Sequence, residues 1–280
     1  MRKKVLFIGM LVTLLFAFSG CGTKSEGVVT LIMSDVQEGD HPTAQACDKF
    51  AELVKKRTNG KVVIEVYHGS TLGTEAEQIA QATVGGIDFV RVSSPVAAYY
   101  DDIKAFQALY LYSSEDDMWK VLDGEIGNEF LKAQQLKDNG LEGLCWISGG
   151  SRNFYNNVRP ITSPEDLAGL TLRVNTDSMF AFLESCGAKG INVSYNDIYN
   201  SIEAGTIDGA ENNWPSYIST GHYKVAPYIT VDEHTRIPEM IVASTESMNK
   251  LTSEQQQIVR ECAQEALSLI HISEPTRPLY

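Results

Sequence analysis

Two arginines and a cluster of amide and aromatic side chains lie close together between residues 150 and 217. Arg152 occurs in the segment Gly-Ser-Arg-Asn-Phe, Arg173 occurs in Thr-Leu-Arg-Val, and residues 211–214 read Glu-Asn-Asn-Trp. A guanidinium group stays charged and binds a carboxylate through a planar fork of donors. Amide side chains both donate and accept hydrogen bonds, which suits a ligand with hydroxyl groups or a second carboxylate. We therefore expect this stretch to bind a small organic anion.

The composition argues against several classes of partner and reaction. The chain has 280 residues and a formal net charge of −13, with 43% hydrophobic and 21% charged residues, as in ordinary globular proteins. An acidic surface argues against nucleic acid as a partner, although a buried pocket can still be positive. The sequence has no nucleophile elbow, metalloprotease, phosphate-loop or dinucleotide-binding motif, and its histidines lack metal-ligand spacing. We therefore expect neither an enzyme nor a bound cofactor.

The N-terminus has the features of an export signal followed by a membrane anchor. Three basic residues precede an apolar run over residues 5–18, which is too short for a comfortable membrane span. Small residues then lead to Cys21, as in a bacterial lipobox, in which the cysteine is acylated. We expect residues 1–20 to be a lipoprotein signal peptide, residues 21–27 to be a tether, and the mature protein to be extracytoplasmic and lipid-anchored to the cell membrane. An ordinary cleaved signal peptide with an incidental cysteine is the alternative.

Strand-like and helix-like segments alternate along the rest of the chain. The predicted strands cover residues 28–33, 61–67, 87–92, 141–147, 170–174 and 240–244, and a further short strand begins at Ile207. Helical patterns separate them, including one long helix predicted from Glu115 to Leu136. This alternation predicts an α/β protein with a mostly parallel sheet. The pair Gly149-Gly150 marks a predicted crossover between two lobes.

Several ordered segments match one known family. They are His41-Pro42-Thr43, residues 53–61, residues 71–73, residues 152–161, residues 172–174, residues 207–212 and residues 251–256. Over about residues 28–266 the chain resembles the DctP-type solute-binding proteins of TRAP transporters (tripartite ATP-independent periplasmic transporters). The resemblance implies a bilobed, periplasmic-binding-protein-like fold, in which a hinge joins two α/β lobes and ligand lies in the cleft between them. We expect a monomer whose partners are a small carboxylate ligand and the transporter's membrane subunits.

The resemblance also implies lobe boundaries. The first lobe is expected to comprise residues 28–149 and 238–266, and the second lobe residues 150–237. Residues 267–280 match the translation of a common transposase sequencing adapter, so we expect them to be foreign to the protein. Chains of the family continue beyond this point and return to the second lobe, which is therefore expected to be incomplete.

The resemblance assigns roles to particular residues. Arg173 matches the arginine that forms a bidentate pair with the ligand carboxylate, Arg152 matches a supporting arginine, and Asn212 matches a ligand-binding asparagine. The remaining candidates in this pattern are Glu75, Asn213, Tyr195 and Trp214. Each has a structural alternative: a helix N-terminal charge for the glutamate, turn chemistry for the second asparagine, and core packing for both aromatic residues. Arg152 has the alternative of a structural pair with a cleft acid.

Two more candidates follow from the sequence itself. His41 lies in the loop after the first predicted strand, where its side chain can reach a cleft between lobes. Arg91 lies inside the strand-like run over residues 87–92, and a buried arginine requires an anionic partner. We expect that partner to be the ligand or an acid of the cleft.

The polar segments suggest the type of ligand. Residues 91–93, 151–155 and 211–217 are most similar to the branch of the family that binds hexuronates such as glucuronate or galacturonate. Several polar groups and aromatic rings together suit a polyhydroxylated ring. C4-dicarboxylates and sialic acid remain alternatives, and so does a sensory role in which the same pocket reports to a signalling receptor.

Overall fold

The computed structural model describes residues 27–271, with side chains described as far as residue 266. The predicted signal peptide and Cys21 lie outside the described residues, as do residues 272–280 of the suspected adapter translation. Within the described part, ten α-helices surround two five-stranded sheets. None of these helices is long and apolar enough to cross a membrane.

The first sheet takes its strands from both ends of the described chain. They are β1 (Val29–Ser34), β2 (Val62–Tyr67), β3 (Phe89–Val92), β4 (Leu141–Ser148) and, after five strands of the other sheet, β10 (Pro238–Ser244). Their order is β2-β1-β3-β10-β4. β1 is parallel to β2 and β3, whereas β10 is antiparallel to β3 and β4. The sheet is mixed because the chain re-enters it from the second sheet through β10.

The second sheet repeats this arrangement. Its strands are β5 (Arg152–Asn156), β6 (Thr171–Arg173), β7 (Lys189–Ile191), β8 (Gly209–Asn213) and β9 (Tyr228–Thr235). Their order is β7-β6-β8-β5-β9, with β5 antiparallel to both of its neighbours. The sequence did not predict β5, because Arg-Asn-Phe-Tyr-Asn lacks an apolar alternation. All five of its residues are nevertheless buried. β5 is an interior strand of the sheet, flanked by β8 on one side and β9 on the other.

The chain passes between the sheets at residues 149–151 and again at residues 236–237. Gly150 has a φ of +84°, in the region that favours glycine. A Cβ on Gly149 would lie 2.4 Å from Asn213 Nδ2, so a larger residue there would collide with the second sheet. The two bodies that the sheets define, here called the first and second lobes, are therefore joined by two short connections.

The helices cover the faces and ends of both sheets. They are α1 (Pro42–Arg57), α2 (Glu75–Ala82), α3 (Glu115–Leu122), α4 (Glu125–Leu131), α5 (Gln134–Asp138), α6 (Asp177–Ser185), α7 (Ile198–Glu203), α8 (Trp214–Ser219), α9 (Thr245–Met248) and α10 (Ser253–His271). The backbone of α10 thus continues into the segment expected to be adapter sequence.

The single helix predicted from Glu115 to Leu136 was wrong, because this segment forms the three helices α3, α4 and α5. Gly124 has an extended backbone just before α4. A Cβ on Gly127 would lie only 1.9 Å from the carbonyl oxygen of Leu122, so the chain doubles back closely at this point. Glycine is also a weak helix former, which favours a break here.

Alternating side chains of the first sheet enter two separate hydrophobic clusters. Phe89 faces the cluster beneath α1 and α10, where its ring meets Phe50 edge-on at a centroid distance of 5.4 Å. Its neighbour Val90 faces the opposite cluster, which also contains Trp146. Each buried aromatic or branched side chain stabilises the lobe by roughly 1.5–3 kcal/mol. With both faces filled, the strand ends are where the sheet can present polar groups.

Candidate ligand-binding site

A cavity of about 500 Å³ lies between the two lobes and is lined by strand ends from both sheets. β3, β6 and β8 end at this edge, whereas the antiparallel strands β5 and β10 begin there. Six of the sequence-predicted residues line it: Glu75, Arg91, Arg152, Arg173, Tyr195 and Asn212. The size suits a small molecule, and ligands commonly bind at the carboxyl ends of strands.

Arg91 is buried on the first-lobe side of the cavity and is paired with two acids. Its Nε donates to Asp35 Oδ1 at 2.8 Å, and its Nη1 donates to Glu239 Oε2 at 3.2 Å. Burial alone would lower the pKa of Arg91, but the attraction of these carboxylates raises it well above the ordinary value. Of the two partners expected for this arginine, the structure provides cleft acids.

Two carboxyl groups on the same side hold their protons more tightly than usual. Glu75 is the first residue of α2, and its Oε1 accepts a hydrogen bond from the Ser93 amide at 2.5 Å. Burial raises the pKa of Glu75. Burial also raises the pKa of Glu239 to about 7, although Arg91 opposes this shift. Both side chains line the cavity, so a ligand meets two acids that are easily protonated.

Arg152 forms a complete ion pair within the second lobe. Its Nε donates to Glu211 Oε2 at 2.5 Å, its Nη2 donates to Glu211 Oε1 at 2.9 Å, and its Nη1 donates to Asn212 Oδ1 at 3.0 Å. Burial would raise the pKa of Glu211, but Arg152 and a hydrogen bond from His234 lower it to about 2. The structural alternative foreseen for Arg152, a pair with an acid of the cleft, is therefore present.

His234 extends this network away from the cavity. Its Nε2 lies 3.3 Å from Glu211 Oε2, and its Nδ1 lies 2.8 Å from Asp232 Oδ2. Burial would lower the pKa of His234, but hydrogen bonds to Asp232 and Glu211 raise it instead. The ring also stacks on Phe154 at a centroid distance of 4.4 Å. The network thus fixes Glu211, which in turn fixes Arg152.

Arg173 has no such partner, although it is only 6% exposed. Its Nε donates to the Val193 carbonyl oxygen at 3.0 Å, and within the described part of the chain it forms no ion pair. Burial lowers the pKa of Arg173 more than the attraction of Glu211 raises it, and repulsion from Arg152 lowers it further. Among the described residues, the two outer nitrogens of this guanidinium have no hydrogen-bond acceptor, so they can donate to an anion in the cavity.

Amide side chains surround Arg173. The Asn212 Oδ1 accepts from Arg152 and, at 2.8 Å, from the Asn213 amide, so its Nδ2 is left as a donor at the cavity wall. Asn175 also lines the cavity, and its buried Oδ1 has no hydrogen-bond partner among the described residues. A buried polar atom without a partner is costly. A ligand hydroxyl group would satisfy it.

Tyr195 lines the cavity and also joins the lobes. Its hydroxyl donates to Gln37 Oε1 at 2.6 Å, and burial raises its pKa to about 12. The neighbouring Asn196 accepts from Ser70 Oγ at 2.7 Å through its Oδ1. These two hydrogen bonds connect loops of the second lobe to loops of the first lobe, so both depend on the distance between the lobes.

Three predicted residues lie outside the lining of the cavity. His41 caps α1 by accepting from the Thr43 amide, its Nε2 lies 3.2 Å from Ser216 Oγ, and burial lowers its pKa to about 4. Asn213 caps α8 through a hydrogen bond from the Ser216 amide at 2.8 Å. Trp214 packs against Tyr217 at a centroid distance of 6.0 Å. The contacts of all three residues are thus with neighbouring protein groups beside the cleft.

The sequence did not single out four polar residues that the structure brings to the site. They are Asp35, Gln37, Asn175 and Glu239. A signal for one of them exists, because Glu239 is the sole charge in the run Ile-Pro-Glu-Met-Ile-Val-Ala over residues 237–243. A lone acid at the start of a buried strand requires a buried cation, and Arg91 is that cation.

Comparisons with known proteins show the family to which the chain belongs. Residues 33–272 match the model of bacterial extracellular solute-binding protein, family 7 (DctP). A solute-binding protein of Chromohalobacter salexigens is 34% identical over 234 residues, which is 83% of this chain and 69% of the relative.

Solved structures extend the likeness to the fold. A TRAP periplasmic solute-binding protein from a Sulfitobacter species, with bound β-D-galacturonate, is 32% identical with a TM-score of 0.83, covering 87% of this chain and 81% of that chain. Another from Chromohalobacter salexigens, with bound D-glucuronate, is 33% identical with a TM-score of 0.82, covering 86% of this chain and 80% of that chain.

Two α/β lobes around a polar cavity define a bilobed extracytoplasmic binding protein, and the predicted fold class is confirmed. The chain belongs to the DctP family of bacterial extracellular solute-binding proteins and is a TRAP periplasmic solute-binding protein, as the sequence resemblance indicated.

Proposed function

We propose that this protein binds a hexuronate, with D-glucuronate and D-galacturonate as the leading candidates, and that Arg173 binds its carboxylate through a bidentate contact. The observation that carries the proposal is the buried, unpaired state of Arg173 among the described residues. A fork of two guanidinium donors matches a carboxylate, and binding it removes the penalty of a buried unpaired charge. The hexuronates in the two structural relatives support the choice of ligand.

The remaining lining suits the hydroxyl groups of a sugar acid. Asn212 offers a donor and Asn175 offers an acceptor beside Arg173, whereas Glu75 and Glu239 offer acceptors on the opposite wall. A polyhydroxylated ring needs such groups on several sides at once. Catalysis has no part in this proposal, because binding and release are sufficient for a transport protein.

Binding is proposed to bring the lobes together and to present the closed form to the membrane subunits of a TRAP transporter. The proposed lobes are residues 28–149 with 238–266, and residues 150–237, which agrees with the membership of the two sheets. A ligand that contacts both walls binds the closed form more tightly and shifts the population toward it. The short connections at 149–151 and 236–237 are the proposed hinge.

We also propose that Cys21 is acylated and holds the protein at the membrane as a monomer. Residues 5–18 and the small residues before Cys21 support this anchor. Palmitate labelling of cells that express the protein is expected to be positive and to disappear in Cys21→Ala. An unlabelled wild-type protein would contradict the anchor without affecting the ligand proposal.

A matched set of ligands tests the proposed function. Thermal shift and calorimetry with D-glucuronate and D-glucose compare two sugars that differ mainly by the carboxylate, and only the acid is expected to bind. D-galacturonate is expected to bind as well, whereas succinate, malate and sialic acid are expected to bind more weakly. Stabilisation by succinate or malate alone, or equal binding of D-glucose, would overturn the hexuronate proposal.

A further inference from the structure

The first-lobe side of the cavity holds more carboxyl groups than its arginine can neutralise. Arg91 is paired with Asp35 and with one oxygen of Glu239. Glu75 accepts a hydrogen bond from the Ser93 amide but has no ion-pair partner within the described residues. This wall of the cavity therefore carries excess negative charge. The second-lobe wall carries the cation of Arg173, which forms no ion pair among the described residues. The two walls of the cavity therefore differ in the sign of their uncompensated charge.

Both cavity-lining glutamates resist ionisation. Burial raises the pKa of Glu75, and repulsion from Asp35 adds to this effect. The attraction of Arg91, the hydrogen bond from the Ser93 amide and, more weakly, the attraction of Arg173 oppose it. Burial raises the pKa of Glu239 to about 7, and the Glu75 and Asp35 carboxylates contribute to the rise. Arg91 and, more weakly, Arg152 oppose this shift. A further anion placed on this side meets the same repulsion.

We propose that Glu75 and Glu239 make the site selective for ligands with a single carboxylate. A ligand held by Arg173 through one carboxylate presents its far end to these glutamates, where hydroxyl groups donate hydrogen bonds to them. A second carboxylate at that end is desolvated beside like charges. The selectivity rests on the proposed function, since Arg173 has to hold the first carboxylate. It separates uronates from aldarates and from short dicarboxylates.

Calorimetry with D-galacturonate and galactarate tests this selectivity, because the two acids share six carbons but carry one and two carboxylates. The proteins are the wild type, Glu75→Gln, Glu239→Gln and the double variant. We expect each substitution to strengthen galactarate binding by roughly tenfold or more, because a like charge is removed. Galacturonate binding is expected to weaken, because a carboxylate that accepts hydrogen bonds from its hydroxyl groups becomes an amide.

Glu77→Gln is the matched control. Glu77 lies on the same helix as Glu75, is exposed, and forms a capping box with Thr74. Glutamine also satisfies a capping box, so this substitution removes a nearby charge without disturbing the helix start. It is expected to leave both affinities unchanged. An equal gain for galactarate in this control would show that overall charge, and not the two cavity glutamates, sets the selectivity.

A second measurement needs only the wild-type protein. Lowering the pH from about 8 to about 5.5 leaves galactarate ionised, because ordinary carboxyl groups titrate near pH 4. Glu239 becomes protonated over this range, since its pKa is about 7, while Arg91 and Arg152 stay charged. Galactarate is expected to bind more tightly at the lower pH, with a smaller change for galacturonate, and Glu239→Gln is expected to reduce this difference.

The possible outcomes separate the two proposals. If galactarate binds equally weakly to all four proteins and at both pH values, the selectivity has another origin and the inference is overturned. A wild type that binds galactarate as tightly as galacturonate overturns it as well. If the wild type does not bind galacturonate, the proposed function itself fails, whatever the variants do.

Discussion

The two walls of the cleft are built alike but charged differently. Each is the edge of a five-stranded sheet into which one antiparallel strand has been inserted. On the first-lobe side, Arg91 is surrounded by three carboxyl groups, whereas on the second-lobe side two arginines face one carboxylate, Glu211, which is paired with Arg152. Topology therefore brings polar residues to the cleft, but the balance of charge decides which end of a ligand each wall can hold.

Within the second lobe, two arginines also differ, in this case in whether they are paired with an acid. Arg152 and Arg173 both lie at strand ends and are similarly buried. Arg152 forms a bidentate pair with Glu211 through its Nε and Nη2 atoms, and its pKa is raised because the attraction of Glu211 outweighs the cost of burial. Arg173 is unpaired among the described residues, and burial lowers its pKa. Two residues of the same type thus differ in their pairing, and this difference is the basis of the proposed role of Arg173 as the partner of the ligand carboxylate.

Removal of Arg173 is expected to have the largest effect on binding. Arg173→Met should weaken hexuronate binding by about 3 kcal/mol or more, over a hundredfold in Kd, because a buried carboxylate loses its partner. The free energy of unfolding without ligand should stay the same or rise, since an unpaired buried charge is removed. Calorimetry and urea denaturation measure the two effects separately.

Arg260→Met is the control for this substitution. Arg260 pairs with Glu142 on a partly exposed surface and lies outside the cavity lining. Surface pairs contribute little, so both affinity and stability should change by less than about 1 kcal/mol. Unchanged hexuronate affinity in Arg173→Met would remove the basis of the proposed carboxylate contact.

Removal of Arg152, unlike removal of Arg173, is expected to lower the stability of the ligand-free protein. Arg152→Met leaves Glu211 buried without its main partner, which should lower the free energy of unfolding by about 3–5 kcal/mol. Replacing both residues, as Arg152→Met with Glu211→Leu, should recover much of that loss, because no buried charge remains unpaired. Urea denaturation of both variants provides the measurement. If Arg152→Met unfolds like the wild type, the ion pair contributes little and the distinction between the two arginines is lost.

The sequence resemblance suggested a role for each arginine but could not identify the acid that pairs with Arg152. The pairing of Arg152 with Glu211 depends on the register of β5 against β8, in which Arg152 lies opposite Asn213. β5 was not predicted, because its polar composition is not typical of a strand. It is nevertheless an interior strand, paired with β8 and β9. The alternation of strands and helices, by contrast, was sufficient for the α/β class, because it depends on local patterns alone.

On the first-lobe wall, too, the sequence could not identify the partner of a buried arginine, because that partner is far away in the chain. A buried Arg91 was expected to need an anion, but Glu239 lies 148 residues further along the chain. It reaches Arg91 only because β10 inserts between β3 and β4. Such an insertion leaves no local signal except a lone acid in an apolar run. A requirement for charge balance can therefore be predicted from sequence, whereas the partner's identity depends on topology.

The two walls should also respond differently to pH. Glu239 has its pKa raised from 4.5 to about 7, so the folded state binds its proton more tightly than the unfolded state. Its stabilising contribution is complete below about pH 4.5 and is lost as the pH rises to about 7, by up to ~3 kcal/mol. Urea denaturation across this range should show the decline in the wild type and a flatter profile in Glu239→Gln.

On the second-lobe wall, the pKa of Glu211 is shifted in the opposite direction to that of Glu239. Its pKa is lowered from 4.5 to about 2, so its contribution is present above pH 4.5 and is lost as the pH falls toward 2. A Glu211→Gln variant should therefore alter the acid limb of the stability profile and leave the slope between about pH 4.5 and 6 unchanged. Closer to neutral pH the variant also affects His234, because Glu211 helps to raise the pKa of that histidine. Equal effects of both substitutions on the same limb would contradict the difference between the walls.

The smallest expected effect concerns the contact between the walls. Tyr195→Phe removes the hydrogen bond to Gln37 but keeps the ring, so affinity should fall by about 1 kcal/mol, a few-fold in Kd. Stability without ligand should hardly change, because in the proposed binding cycle the lobes stand apart before the ligand brings them together. Ser70→Ala, which removes the bond to Asn196, should behave in the same way. An unchanged Kd in both variants would mean that Tyr195 acts only through its ring, and that charge on the two walls accounts for closure without these bonds.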